Sequence, residues 1–250
     1  MTRLVEDNVA LVRALGAEDA AIIGHDWGSP IAANSALLAA EVFTSVAMLS
    51  VPYAPRGGPR PTEVFARIGA DAQFYVSYFQ QPGIAEAEIE PDVRGWLRGF
   101  YTSLSGDTML DDGGQAAFFV APGTPMSDGF ASGGLPAWLT DADLDAYTAE
   151  FERSGFTGAL NRYRNVDRDW EDLVTYDGAA IAQPSMFIGG LRDASTAWNQ
   201  QAIDNFATTL PGLRGSHLLE GCGHWIQQER ADEVNALLVS WLSDVHPSVA

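Results

Sequence analysis

Lysine is absent from the 250-residue chain, so all fourteen basic residues are arginines. That excludes a Schiff-base lysine, a pyridoxal phosphate anchor and a phosphate-loop lysine. Cys222 is the only cysteine, which rules out an internal disulfide or a multi-thiolate zinc site and points to a reducing, cytoplasmic compartment. Four histidines occur, His25, His217, His224 and His246. No two are three or four residues apart, the spacing that puts two imidazoles on one helix face to hold a metal. Basic charge is scarce beside 33 acidic residues, and the formal net charge is -19. Nucleic-acid phosphates and anionic membranes are repelled by such a surface. Residues 1–6 contain no signal-type apolar run, and no stretch reaches the ~20 apolar residues of a membrane span. No cofactor and no metal are expected, and the expected partner is small or uncharged.

What is present is a core. Hydrophobic residues make up 46% of the chain, enough for one large domain or a domain with an insertion. Leu4, Val5, Val9, Leu11, Val12 and Leu15 recur at helical spacing up to Gly16, which predicts an amphipathic helix over 3–15. Residues 20–24 form a short apolar run that breaks at Gly24-His25-Asp26-Trp27-Gly28 before an alanine-rich stretch over 30–40. This reads as strand, sharp turn, helix. A second apolar run over 42–50 makes a strand, helix, strand unit with parallel strands, the mark of an α/β fold. The pattern returns near the C-terminus. Strands are expected over 185–188 and 215–219, a helix over 199–208, and a final helix with a stripe of Val234, Leu237, Leu238, Trp241 and Leu242. Connections in such sheets are short. Residues 53–183 therefore read as an inserted, mainly helical domain between core segments 1–52 and 184–250. Within the insert, 106–134 is glycine-rich, holds Pro122 and Pro125, and reads as a long irregular surface loop.

Gly24-His25-Asp26-Trp27-Gly28 has the G-x-nucleophile-x-G form of a nucleophile elbow, in which glycines flank the centre because a strained strand-to-helix turn leaves no room beside it. The centre here is Asp26. A carboxylate needs no general base to be nucleophilic, and the amino end of the next helix stabilises its charge. An aspartate capping that helix is the commoner meaning of such a pattern. The order of later residues favours catalysis: Asp193 follows the strand at 185–188 and His224 follows the strand at 215–219, the chain order of nucleophile, acid and base. Each stands at the carboxyl end of a predicted parallel strand, where such sheets carry their sites.

These motifs resemble the α/β-hydrolase epoxide hydrolases of the soluble mammalian and bacterial type. The resemblance runs along nearly the whole chain. It is carried by GHDWG at 24–28, YFQQPGIAEAEIE at 78–90, SGFTGALNRYRN at 154–165, FIGGLRD at 187–193 and GCGHW at 221–225. It implies an α/β-hydrolase fold with a helical cap, with Asp26 as nucleophile, Asp193 as acid, His224 as base, and Tyr75 with Tyr163 as the two cap tyrosines. The tryptophan usual before the second tyrosine is Arg162 here. Tyr78, three residues after Tyr75, shares its helix face and competes for the role. Trp27 is expected to lend a backbone N–H and some pocket wall, His25 to pack beside the elbow, and Cys222 to be a small buried residue. The substrates implied are a small apolar epoxide and water, and the assembly to test for is a homodimer.

In the family the elbow follows the fifth strand, and an HGxP turn follows the third. Here the elbow is reached at residue 24 and no HGxP occurs. The expectation is a core lacking its first four strands, with 20–24 left as an apolar edge. The competing readings are a haloalkane dehalogenase, which shares the aspartate nucleophile and the tryptophan after it, and a non-catalytic relic or small-molecule binder.

Overall fold

The computed structural model describes residues 1–69, 71–109 and 114–247. In chain order these form α1 (Thr2–Ala14), β1 (Ala20–His25), α2 (Gly28–Leu38), β2 (Phe43–Leu49), α3 (Pro61–Phe65), β3 (Gln73–Phe74), α4 (Tyr75–Tyr78), α5 (Ile84–Ile89), α6 (Val93–Leu104) and β4 (Phe119–Val120). Then follow α7 (Asp141–Ser154), α8 (Thr157–Arg164), α9 (Val166–Asp172), β5 (Ser185–Gly190), α10 (Ala194–Trp198), α11 (Gln200–Asp204), α12 (Phe206–Thr209), β6 (Leu213–Leu219), α13 (Ile226–Glu229) and α14 (Ala231–Val245). Two compact units result: Met1–Gly57 with Glu171 onward, and Gly58–Trp170.

The first unit holds a parallel sheet in the order β1-β2-β5-β6. The two central strands are buried at nearly every position, as expected where helices cover both faces. Alternate residues serve opposite faces. Val46, Met48 and Phe187 pack with Ala32, Ala33 and Ala36 of α2 and with Phe206 and Leu210. Ala47, Leu49, Met186 and Ile188 pack with Val234 and Trp241 of α14. The alanines keep α2 thin enough to lie close to the sheet. Strand β1 stands at an edge among the described residues, with Ile23 42% exposed.

Three expectations are revised. The unit boundary falls inside the expected 53–183 insert: Ile181 is fully buried with Phe187, the Tyr53 hydroxyl donates to the Ala179 carbonyl at 2.8 Å, and Arg56 pairs with Asp177 at 2.6 Å. Those contacts hold 171–183 in the first unit. The single helix expected over 199–208 is broken into α11 and α12. The break falls at Asn205, where asparagine leaves helical geometry readily, and Asn199 separates α11 from α10, its amide donating back to Ser195 O at 2.8 Å. The 106–134 stretch, apart from 110–113 outside the described residues, is not simply a surface loop. Its β4 pairs antiparallel with β3, and Val120 and Met126 join Phe79, Ile89, Leu97, Leu144, Phe156 and Leu160 in the core of the second unit.

No helix among the described residues is long and apolar enough to cross a membrane. Phe187 is fully buried and meets Phe206 edge-on at 5.4 Å, so truncating it opens a cavity in the most crowded part of the first unit. Phe187→Ala is expected to cost about 3–5 kcal/mol, read as a lowered denaturant midpoint at unchanged slope.

Candidate active site

The register of the sheet sets the site. His25 pairs with Leu49, Leu49 with Ile188, and Gly190 with Leu219, so neighbouring strands stop at nearly one level. The chain leaves them through hydrogen bonds that continue the ladder: Asp26 N–H to Leu49 O at 3.2 Å, Ser50 N–H to Ile188 O at 2.9 Å, and Leu191 N–H to Leu219 O at 3.0 Å. Side chains just past the strand ends are thereby gathered at one edge of the first unit.

At the elbow, Asp26 takes a left-handed backbone, φ 51°, which few residues other than glycine adopt without cost. The turn is tight enough that a Cβ on Gly24 would lie 2.0 Å from the Gly28 carbonyl oxygen. Gly24 is therefore required by space. Gly28 is not: a Cβ there meets nothing within 4 Å, so only one of the two flanking glycines is crowded. Trp27 is the N-cap of α2, and Ser29 N–H donates to Asp26 O at 3.0 Å. The Asp26 side chain, one-third exposed, stands at the amino end of α2.

The three residues foreseen in the first unit come together. His224 Nε2 lies 3.6 Å from Asp26 Oδ1, and His224 Nδ1 lies 3.2 Å from Asp193 Oδ1. Asp193 is 1% exposed. Burial alone would raise its pKa, but the charge and hydrogen bond of His224, the Ser50 hydroxyl and the Ser195 N–H outweigh it and hold the carboxyl below its ordinary value. Burial pulls His224 the other way, toward the neutral form. The charges of Asp193 and Asp26 and the hydrogen bond to Asp193 overcome it and push His224 up to about 9. Asp26 thus helps to keep the imidazole protonated. Converting its carboxylate to a neutral ester removes that support and favours the free base.

Several partners were not foreseen. Ser50, at the end of β2, donates to Asp193 Oδ2 at 2.5 Å and sits 3.1 Å from His224 Nδ1. Thr196 Oγ1 lies 2.9 Å from Ser50 O and 3.1 Å from Asp193 Oδ2. Glu229 accepts from Gly223 N–H and Trp225 N–H at 2.9 and 3.0 Å, clamping the loop on both sides of His224. The only sequence signal for Ser50 was its place after a predicted strand. His25 does pack beside the elbow, its ring centroid 4.9 Å from that of His224. Its Nε2–H donates to the His224 carbonyl at 2.7 Å, and burial followed by the His224 charge lowers its pKa. Cys222 is fully buried, and burial, with Glu229 nearby, pushes its thiol up to about 12. Among the described residues no group of three or more His, Cys, Asp or Glu could hold a metal ion.

Within the second unit, Tyr75 on α4 and Tyr163 on α8 meet edge-on with ring centroids 5.7 Å apart, and Phe79 touches both. The Gln80 amide donates to Tyr163 O and Arg164 Nε donates to Phe79 O, both at 2.9 Å. Arg164 is locked in turn by Glu86 at 2.8 Å, whose carboxyl is pulled down to about 2, mainly by that hydrogen bond. Tyr78 is turned to other use, donating to Glu88 at 2.6 Å, and burial followed by that contact raises its pKa. Arg162, where the resemblance leads one to expect tryptophan, is mostly buried and paired with Asp169.

A family model described as the alpha/beta hydrolase family matches residues 1–237. Epoxide hydrolase A of Mycobacterium tuberculosis is 41% identical over 246 residues, covering 96% of this chain and 74% of that protein. Epoxide hydrolase B of the same organism is 38% identical over 276 residues, covering 98% of this chain and 77% of that protein. The solved structure of an epoxide hydrolase from an endophytic Streptomyces matches with 66% identity and a TM-score of 0.96, over 98% of this chain and 74% of that one.

Two outcomes follow from the geometry. Gly24→Ala forces a carbonyl out of the turn and is expected to cost roughly 3 kcal/mol, whereas Gly28→Ala shifts stability by less than about 1 kcal/mol, both read by denaturant unfolding. Asp26→Asn removes an anion that favours the imidazolium, so His224 is expected to titrate below the value of about 9 in the parent chain, followed by NMR of its ring protons.

Proposed function

The chain belongs to the alpha/beta hydrolase family, among its epoxide hydrolases, and on that footing we propose that Asp26, His224, Asp193, Tyr75 and Tyr163 open an epoxide to a vicinal diol. The supporting observation is the elbow carboxylate 3.6 Å from an imidazole whose other nitrogen faces a buried aspartate. An Asp26 oxygen attacks a ring carbon, the ring C–O bond breaks, and the freed oxygen takes a proton from a tyrosine. A phenol of ordinary pKa ≈ 10 suits an alkoxide that forms as the ring opens. The product of this half-reaction is a hydroxyalkyl ester on Asp26.

With the Asp26 charge gone, His224 gives its resting proton to solvent, to be taken back when the carboxylate is restored. Water then attacks the ester carbonyl and gives a proton to His224 Nε2, while Asp193 stabilises the imidazolium. The tetrahedral oxyanion forms at the amino end of α2, where the Trp27 N–H and the helix dipole favour negative charge. Collapse breaks the bond to the alkyl oxygen, which leaves as the second diol hydroxyl with the proton from His224. The proton left on Asp26 restores the phenol, so epoxide and water are the only species consumed. Ester formation lowers the barrier to its own removal, because it takes away a charge that held His224 protonated.

The second unit, in this reading, is the cap. The Tyr75–Tyr163 pair supports epoxide opening over a haloalkane dehalogenase, which needs halide donors in that role. Tyr78 is assigned to structure, its hydroxyl being bound to Glu88. The cytoplasm is the compartment proposed, in keeping with a lone buried cysteine, and removal of reactive apolar epoxides is the proposed role.

The test is intact-mass measurement after mixing with styrene oxide. His224→Ala is expected to accumulate a chain heavier by one substrate, with the added mass on Asp26, and Asp26→Asn to gain none. Tyr75→Phe and Tyr163→Phe are each expected to slow ester formation by roughly 10² or more. Diol formation without any Asp26-dependent ester would overturn the assignment, and halide release from a haloalkane at a comparable rate would favour the dehalogenase.

A further inference from the structure

Ser50 has no part in the reaction as derived, yet it is the residue most tightly built into the triad. It is completely buried. Its backbone sits in the left-handed region at φ 72°, where a serine is held against its preference. Its hydroxyl has two polar neighbours, Asp193 Oδ2 at 2.5 Å and His224 Nδ1 at 3.1 Å. A hydroxyl carries one proton and two lone pairs, and an ionised carboxylate can only accept. The Ser50 proton is therefore committed to Asp193. What Ser50 presents to His224 is a lone pair, and that contact is favourable only if Nδ1 bears hydrogen. The Nδ1–H then forks between Ser50 Oγ and Asp193 Oδ1, at 3.1 and 3.2 Å.

We propose that Ser50 is a positioning residue for ester hydrolysis: by donating to Asp193 and accepting from His224 Nδ1–H, it fixes the imidazole tautomer that leaves the Nε2 lone pair on the Asp26 side. The tautomer of a neutral imidazole is set by the hydrogen bond its other nitrogen makes. A single carboxylate oxygen at 3.2 Å is a long anchor, and a ring held by it alone is freer to turn. Ser50 supplies the second anchor, from a different strand. Thr196 braces the arrangement, its hydroxyl lying within reach of both the Ser50 carbonyl and Asp193. Ring opening does not use the His224 lone pair, so Ser50 acts on the second half-reaction alone.

This rests on Asp26 as nucleophile and His224 as base, and the experiment separates the two levels. Rapid-quench intact-mass kinetics with styrene oxide are run on the parent chain, Ser50→Ala, Ser50→Gly and His224→Ala. In both Ser50 variants the ester is expected to form within about threefold of the parent rate and to decay about tenfold or more slowly. Ala keeps the strained φ and Gly relieves it, so a shared defect traces to the hydroxyl, whereas a defect in Ala alone traces to the backbone and overturns the proposal. Parent-like ester decay in either variant also overturns it, as does equal slowing of both half-reactions. Absence of ester in His224→Ala is the failure of the underlying reaction scheme instead. The nitrogen chemical shifts of the parent His224, taken above its pKa, read the tautomer without any substitution: hydrogen on Nδ1 supports the role, and hydrogen on Nε2 overturns it.

Discussion

A carboxylate almost wholly removed from water dominates the first unit. Asp193 is 1% exposed, and a buried charge that lacks partners costs several kcal/mol. Its oxygens are met by the Ser195 N–H, the Ser50 hydroxyl and the His224 ring. These groups come from the start of α10, the end of β2 and the loop after β6. The Ser195 N–H is local to Asp193, but Ser50 and His224 must arrive from other strand ends. That requirement is met only if β2, β5 and β6 keep their register. Slippage by one residue would turn every core side chain to the wrong face and would also take Ser50 and His224 away from Asp193. Packing of the sheet and satisfaction of the charge therefore select the same arrangement.

From that anchor the electrostatics of the site follow in sequence. Asp193 favours the imidazolium of His224, and Asp26 on its far side adds to the effect. The histidine is thus held between two carboxylates of unequal kind. One is buried and hydrogen-bonded; the other is one-third exposed and, in the proposed reaction, is the one that becomes an ester. Loss of charge at the exposed carboxylate would lower the proton affinity of the imidazole beside it.

The second unit solves a different problem with similar means. Tyr75 and Tyr163 touch although they stand on separate short helices, and helices of four and eight residues have little stability of their own. Phe79 packs edge-on against both rings. Arg164, bound to Glu86 and reaching the Phe79 carbonyl, ties α8 to the turn after α4. Arg162 is mostly buried and paired with Asp169, which joins α8 to α9.

Local sequence was enough to place Asp26, Asp193 and His224, because strand ends, glycine-bounded turns and chain order are properties of short segments. The parallel strands and the apolar stripe of α14 were legible for the same reason: periodicity of two or 3.6 residues is written along the chain. Tyr75 could not be separated from Tyr78 by spacing, since both lie on one turn of helix; only the contact of Tyr78 with Glu88 and of Tyr75 with Tyr163 distinguishes them. Ser50, Thr196 and Glu229 carried no motif at all. Their significance lies in hydrogen bonds to residues far away in sequence, and a serine after a strand is unremarkable until a buried carboxylate stands opposite. The residue types able to perform the chemistry were thus determined by the sequence alone. Which oxygen meets which nitrogen was decided by the tertiary fold, because hydrogen bonds between distant segments depend on register and burial, which short stretches of chain do not encode.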